Sequence, residues 1–266
     1  MIRAAALVLA ALPAAAREVA SGALSDPATF AGAEIVLLGE IHDNPIHHER
    51  QAAAVAALAP KAVVWEMLTP DAQVHPALIG DPGALGAALG WEESGWPDFA
   101  MYAPIFAAAP EAAHMGAALT SNGMRLAVTD GAASPLGAGA GLMGLDEPLP
   151  PARQAAEEAR QAEVHCDMMP EEMLAGMVEV QRARDGALAL AALAALEAHG
   201  APVAVILGNG HAEAGAVPAL IGRARPGTAV LALGQLEAAP EDSAPYDLWA
   251  ESGAPEREGD PCDGLR

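Results

Sequence analysis

The chain has 266 residues, 53% of them hydrophobic, which suits one large domain or two small ones with a substantial core. Its net charge is −22, with 35 acidic against 13 basic residues, and Lys61 is the only lysine. That balance excludes a nucleic-acid binder, which needs clustered cations to displace counterions, and makes an anionic membrane surface an unfavourable partner. Much of the apolar content is alanine and only 3% of residues are aromatic, so each aromatic position carries more information than usual.

The N-terminus reads MIRAAALVLAALPAAAREVA. Arg3 supplies a charged start, Ala4–Leu12 an apolar run too short to span a bilayer, and Ala14-Ala15-Ala16 small residues for cleavage. This pattern predicts a signal peptide over residues 1–16 and an exported, periplasmic chain over 17–266. No cysteine near the cleavage point offers a lipid-anchor site, and no later stretch is long and apolar enough for a transmembrane helix. In an exported protein Cys166 and Cys262 permit one disulfide, pinning the C-terminal tail to the middle of the chain; two free thiols fit the sequence equally well.

Five short apolar runs read as buried strands: Glu34–Leu38, Ala62–Trp65, Arg125–Thr129, Val203–Leu207 and Thr228–Leu233. Strands covered on both faces have this character, as in parallel sheets. Helical patterns separate them. Pro45–Leu58 follows the first, with Asp43 or Asn44 as N-cap and Pro45 in the first turn, and Glu213–Ile221 follows the fourth. The alternation predicts βαβ units and a single α/β domain, a three-layer α/β/α arrangement around a mainly parallel sheet. Two stretches, about 69–122 and 151–200, break the rhythm and are expected as helical insertions. The glycine-rich Gly131–Gly144 lacks the strand–glycine–helix context of a phosphate cradle and reads as a loop.

Within this frame the segment LLGEIHDNPIHHERQ (37–51) has a place. Gly39-Glu40-Ile41-His42 follows the first strand. Gly208-Asn209-Gly210-His211 follows the fourth, and Glu66 ends the second. In a parallel sheet all carboxyl ends lie at one edge, where ligands bind, so Glu40, His42, Glu66 and His211 are expected to converge. The glycines are expected to let the chain turn off each strand. Two imidazoles and two carboxylates suit a divalent metal such as Zn²⁺ with an open position, or a metal-free acid/base set. His47 and His48 are adjacent in a helical turn and diverge by roughly 100°, so at most one of them is expected to face the crevice, and a solvent-exposed helix start explains the pair equally well.

The segments LGEIHDNPIHHERQ, VVWEM, SGWPDFAMYAPIF, HCDMMPEEMLAGMVEVQRARD and ILGNGHAEAGAVP, in this order, resemble the haem-binding, ChaN-like branch of the Tiki/TraB superfamily. The resemblance covers roughly Glu34 to the C-terminus. It implies a three-layer α/β domain with helical insertions and a role in haem binding and iron uptake or handling at the cell envelope. It also implies haem as ligand and a haem-bridged homodimer. Other branches use the G-x-x-H histidines and a glutamate in metal-dependent proteolysis or ester hydrolysis, which keeps a hydrolase as the alternative. On the haem reading the iron needs a His, Met, Cys or Tyr donor. Tyr102 is the expected ligand, with Phe99, Met101 and Phe106 as porphyrin contacts and His47 and His48 beside them. Packing of a helix onto the sheet explains the same aromatic residues. Met168, Met169, Met173 and Met177 read as core filler. Arg182 and Arg184 are expected to meet propionates or local glutamates.

Overall fold

The computed structural model describes residues 16–257 together with Gly259 and Cys262. Residues 1–15 of the expected signal peptide lie outside that range. Among the described residues one sheet has seven strands: β1 (Arg17–Glu18), β2 (Ile35–Glu40), β3 (Ala62–Trp65), β4 (Ala113–Gly116), β5 (Val203–Gly208), β6 (Val230–Leu236) and β7 (Leu248–Glu251). Their order is β1-β7-β6-β2-β5-β3-β4 and every pairing is parallel. The helices, in chain order, are α1 (Pro45–Leu58), α2 (Pro82–Ala88), α3 (Phe99–Ala108), α4 (Ser121–Asp130), α5 (Gly139–Leu142), α6 (Pro151–Val164), α7 (Glu171–His199), α8 (Asn209–Ala212) and α9 (Val217–Ala224).

The sheet is buried on both faces, as its apolar runs require. Every residue of β2, β3 and β5 is buried. Strand alternation divides the side chains between two cores. Ile35 and Leu37 pack toward α4, α7 and α9, while Val36 and Leu38 pack toward α1 and α3. This is the three-layer arrangement.

From β2 the chain steps outward through β3 to β4, then returns through α4–α7 to β5, beside β2, and continues past it to β6 and β7. The direction of winding thus reverses between β2 and β5, the position at which open parallel sheets form a ligand crevice.

Helix α1 begins as its sequence predicts. The Asn44 side chain accepts from Ile46 N at 3.1 Å and Pro45 takes the first position. Arg125–Thr129 is not a strand. It lies in α4, whose N-cap Thr120 accepts from Gly123 N at 3.1 Å. Ala127 is buried and Val128 is half exposed, the mark of an amphipathic helix. The stretch 69–122 is a crossover that carries α2 and α3 and delivers β4 to the sheet edge, whereas 151–200 is helical as expected. The glycine-rich segment contains a 3₁₀ turn at Ser134–Leu136 and α5.

Cys166 and Cys262 are bonded, with Cα atoms 5.8 Å apart and 96 positions between them in sequence. The C-terminal segment is also clamped by Arg257, which donates to both oxygens of Asp43 at 2.6 and 2.7 Å and to Glu237 at 2.6 and 3.0 Å. Closing a loop of this length removes unfolded-state entropy. Cys262→Ser is expected to lower unfolding free energy by about 2–4 kcal/mol in urea, and reductant should have the same effect on the wild type. Superimposable curves would show that the bond carries no stability.

Candidate functional site

The three central strand ends bring the expected residues together. Glu40 pairs in register with Gly208 across β2 and β5, and Glu66 N, just past β3, donates to Ile206 O at 3.0 Å. Glu40 and Glu66 therefore flank Gly208 from opposite sides, and His211 follows it on α8. The glycines act by close approach rather than by a turn, since neither Gly39 nor Gly208 has a positive φ. A Cβ on Gly39 would collide with the Asn209 side chain and come within 2.7 Å of Leu233 O; one on Gly208 would lie 2.9 Å from His42 Nε2.

Each carboxylate heads its own network. Glu40 Oε1 accepts from the Tyr102 hydroxyl at 2.9 Å and meets His42 Nδ1 at 2.7 Å. Glu40 Oε2 and His48 Nδ1 face each other at 3.4 Å, both buried and neither hydrogen-bonded. Glu66 Oε2 accepts from Gly208 N at 2.7 Å, and Oε1 takes the Arg184 guanidinium at 2.5 Å and His211 Nε2 at 3.3 Å. His211 Nδ1 meets Asp185 at 2.5 Å. Gln181, Arg184 and Asp185 reach the site from α7 at i, i+3 and i+4, one face of the helix. That spacing was legible in QRARD, but its partner lay in another element.

These contacts set the ionisation. Burial opposes a charge on His211, but Glu66 and Asp185 outweigh it and lift the imidazole to about 9. Burial would raise Glu66, yet His211 and Arg184 hold it well below the usual carboxylate range. Burial also opposes protonation of His42, and its bond to Glu40 with the Glu66 charge more than compensates, raising it. Burial lifts Tyr102 far above an ordinary phenol, and Glu40 adds to the shift.

The residues expected to contact porphyrin are placed differently. Tyr102 is fully buried and donates to Glu40, so as placed it is a hydrogen-bond donor rather than an open phenolate. Phe106 stacks on Trp65 with centroids 3.9 Å apart, and Phe99 and Met101 join the same core. In a chain so poor in aromatics, the face of the sheet under α3 claims them as filling. His47 is buried and tethers the tail, its Nδ1 accepting from Ile41 N at 2.9 Å and its Nε2 meeting Ser252 at 2.8 Å. His48 lies beneath the crevice, its Nε2 bonded to His42 O at 2.9 Å. None of the six lines either of the two cavities that open at the cluster.

Nor does the His42, His211, Glu40 and Glu66 set form a metal centre. Among the described residues no group of three or more His, Cys, Asp or Glu side chains is arranged to hold a metal ion. The donors are consumed by Arg184, Asp185, Tyr102 and one another. This gives the Zn²⁺-dependent hydrolase expectation no support.

Above the cluster opens a cavity of about 580 Å³ walled by α6, α7, α8 and α9. That volume falls in the range of small-molecule sites. Its walls mix Leu145, Leu149, Val178 and Leu220 with Arg153, Arg160, Arg182, Arg184 and Arg223, five of the chain's 13 basic residues. Four of those arginines meet carboxylates: Glu157, Glu213, Glu179 and Glu66 respectively. Arg182 thus takes a local glutamate, whereas Arg184 takes Glu66 from the end of β3, 118 positions away. Arg223 bonds only the Met143 carbonyl at 3.2 Å and has no carboxylate partner among the described residues. Sequence reasoning missed Arg223, since nothing in GRARPG marks it as facing a cavity. Glu66 and Arg184 also wall a second cavity of about 460 Å³ beside Trp96. Met168 and Met173 are half exposed rather than core filler, and Met177 lines the larger cavity.

A parallel α/β sheet with its crevice at the switch between β2 and β5 defines the class of protein. The chain belongs to the family described as haem-binding uptake, Tiki superfamily, ChaN, whose model matches residues 27–221. A solved structure described as cofacial haem binding to ChaN of Campylobacter jejuni is similar in fold, with 17% identity and a TM-score of 0.59 over 84% of this chain and 89% of that one. No curated protein sequence matches.

The folded His211, at about 9 against 6.5 unfolded, contributes stability that is complete below pH 6.5 and lost as pH rises through about 9, on the order of 3 kcal/mol. Burial depresses His47 and His114 to about 4, so their contribution is present above pH 6.5 and lost as pH falls toward 4. Thermal melts across pH should therefore peak near neutrality, and His211→Gln should flatten the alkaline limb. A melt profile identical in the variant would contradict this account of the cluster.

Proposed function

We propose that this chain is an exported haem-binding protein that takes part in haem or iron uptake, with haem as its cargo in the larger cavity. Haem is flat, mostly apolar and doubly anionic through its propionates. The carrying observation is Arg223, which lines the mixed apolar and charged cavity without a carboxylate partner among the described residues, in a strongly acidic chain. An unpaired guanidinium matches a propionate in charge and bidentate geometry. The residues present therefore fit haem: Arg223 to hold a propionate, and Leu149, Val164 and Leu220 to cover the ring. Membership of the haem-binding uptake family supports the same reading.

Pairing of two protomers through haem is part of the proposal. ChaN of Campylobacter jejuni binds haem cofacially. Here Val164, on the cavity wall, is 60% exposed, and a second haem-carrying copy would cover it.

The test is a haemin titration of protein beginning at Arg17, followed by absorbance and by mass in solution. A saturable Soret shift with a rise from monomer to dimer is the expected result. Arg223→Ala should weaken binding roughly 10- to 100-fold, the cost of one charge-assisted hydrogen bond, and Tyr102→Phe should leave the spectrum unchanged. Absence of a saturable shift would overturn the proposal.

A further inference from the structure

Haem bound in the larger cavity needs a donor for its iron, and the hydrogen bonds of the cavity walls narrow the choice. Four side chains on the walls of the larger cavity carry donors that bind haem iron: His42, His165, Met177 and His211. His211 is held on both ring nitrogens, by Asp185 and Glu66. His42 spends Nδ1 on Glu40, and its Nε2 lies against the Gly208 backbone, 2.9 Å from where a Cβ there would stand. Met177 offers a soft thioether, poorly matched to ferric iron. Both cysteines are committed to the disulfide, and both tyrosines are buried away from the cavity.

His165 differs from all of these. It is half-buried at the C-terminal cap of α6, and its Nδ1 donates to the Gln161 carbonyl at 2.8 Å. That bond fixes the tautomer and leaves Nε2 unprotonated, the form in which histidine ligates metals. Nε2 has no hydrogen-bond partner among the described residues. The ring is also held from behind. Cys166 and Asp167 turn the chain sharply in the left-handed region, at φ 57° and 54°, a conformation that non-glycine residues keep only where the surroundings enforce it. The disulfide to Cys262 anchors the first of the two. A ligand fixed in advance loses little freedom on binding.

We propose that Nε2 of His165 is the axial ligand to the haem iron, with the Cys166–Cys262 bond and the Gln161 carbonyl as its positioning partners. This rests on the haem reading above. Iron coordination and propionate pairing then sit on different elements, α6 and α9, and different experiments report them.

The experiment compares ferric haemin complexes of the wild type, His165→Ala, His165→Gln and Arg223→Ala by absorbance and electron paramagnetic resonance. Circular dichroism and the intact-disulfide mass serve as folding checks. The expected wild-type spectrum is that of imidazole-ligated haem. Both His165 variants should lose that signature, and added imidazole should restore it, whereas Arg223→Ala should bind more weakly with the wild-type signature. Spectra that coincide between the wild type and folded His165→Ala would overturn the ligand assignment and leave haem binding standing. A wild type that takes up no haemin would overturn both.

Discussion

Two glutamates are buried at the centre of a parallel sheet, and the polar architecture of the protein is the means of keeping them there. An unpaired carboxylate in such a place costs several kcal/mol, so each must find cations or donors. Glu66 takes a backbone N–H from Gly208, the Arg184 guanidinium and His211. Glu40 takes Tyr102 and His42, with His48 facing its other oxygen. These partners come from α1, α3, α7, α8 and the loop after β2, so the two carboxylates tie both helical layers to the same strand ends. The close glycines are part of the same constraint, because side chains at positions 39 and 208 would displace Asn209 and His42.

That cluster forms the floor of the site, and its members are largely occupied with one another. The larger cavity lies above it, on α6, α7 and α9, where arginines are concentrated in an acidic chain. Inside a protein of charge −22 the cavity is near electrical balance, with five arginines against Glu40, Glu66, Glu157, Asp185 and Glu213. Most of its arginines are neutralised by neighbouring glutamates, which holds the walls together. Arg160, with Glu213 at 2.7 and 2.8 Å, bridges α6 to the segment after α8 across the cavity. The exception, Arg223, supplies the unspent charge.

Much of the scaffold was legible in order. The β2, β3, β5 and β6 runs and the α1 start with Asn44 and Pro45 are local signals, since double-sided burial and an N-cap leave their mark within a few residues. The convergence of Glu40, His42, Glu66 and His211 was legible too, because parallel strands share one carboxyl edge. RLAVT misled because a short apolar run has no period long enough to separate strand from helix, and the Thr120 cap before it was not recognised. AHMG (β4), at the sheet edge, and LWAE (β7), between β1 and β6, are only four residues long, too short to announce themselves as strands. Tyr102 carried a plausible chemistry, but its burial and its bond to Glu40 depend on how α3 packs.

By itself, then, the sequence determined the layered α/β class, the strand-end cluster and the family, because these follow from hydrophobic period and from motifs a few residues long. The tertiary structure alone decided which polar atoms are spent and which are free. Arg182 and Arg184 look like better anion partners than Arg223 until Glu179 and Glu66 are seen beside them. Tyr102 looks like a better iron ligand than His165 until the buried phenol is seen bonded to Glu40 and His165 is seen on the cavity wall with its Nδ1 bonded to the Gln161 carbonyl. Residue type sets what a side chain can do, but its availability is a property of its neighbours, and those are brought from distant segments only by the fold.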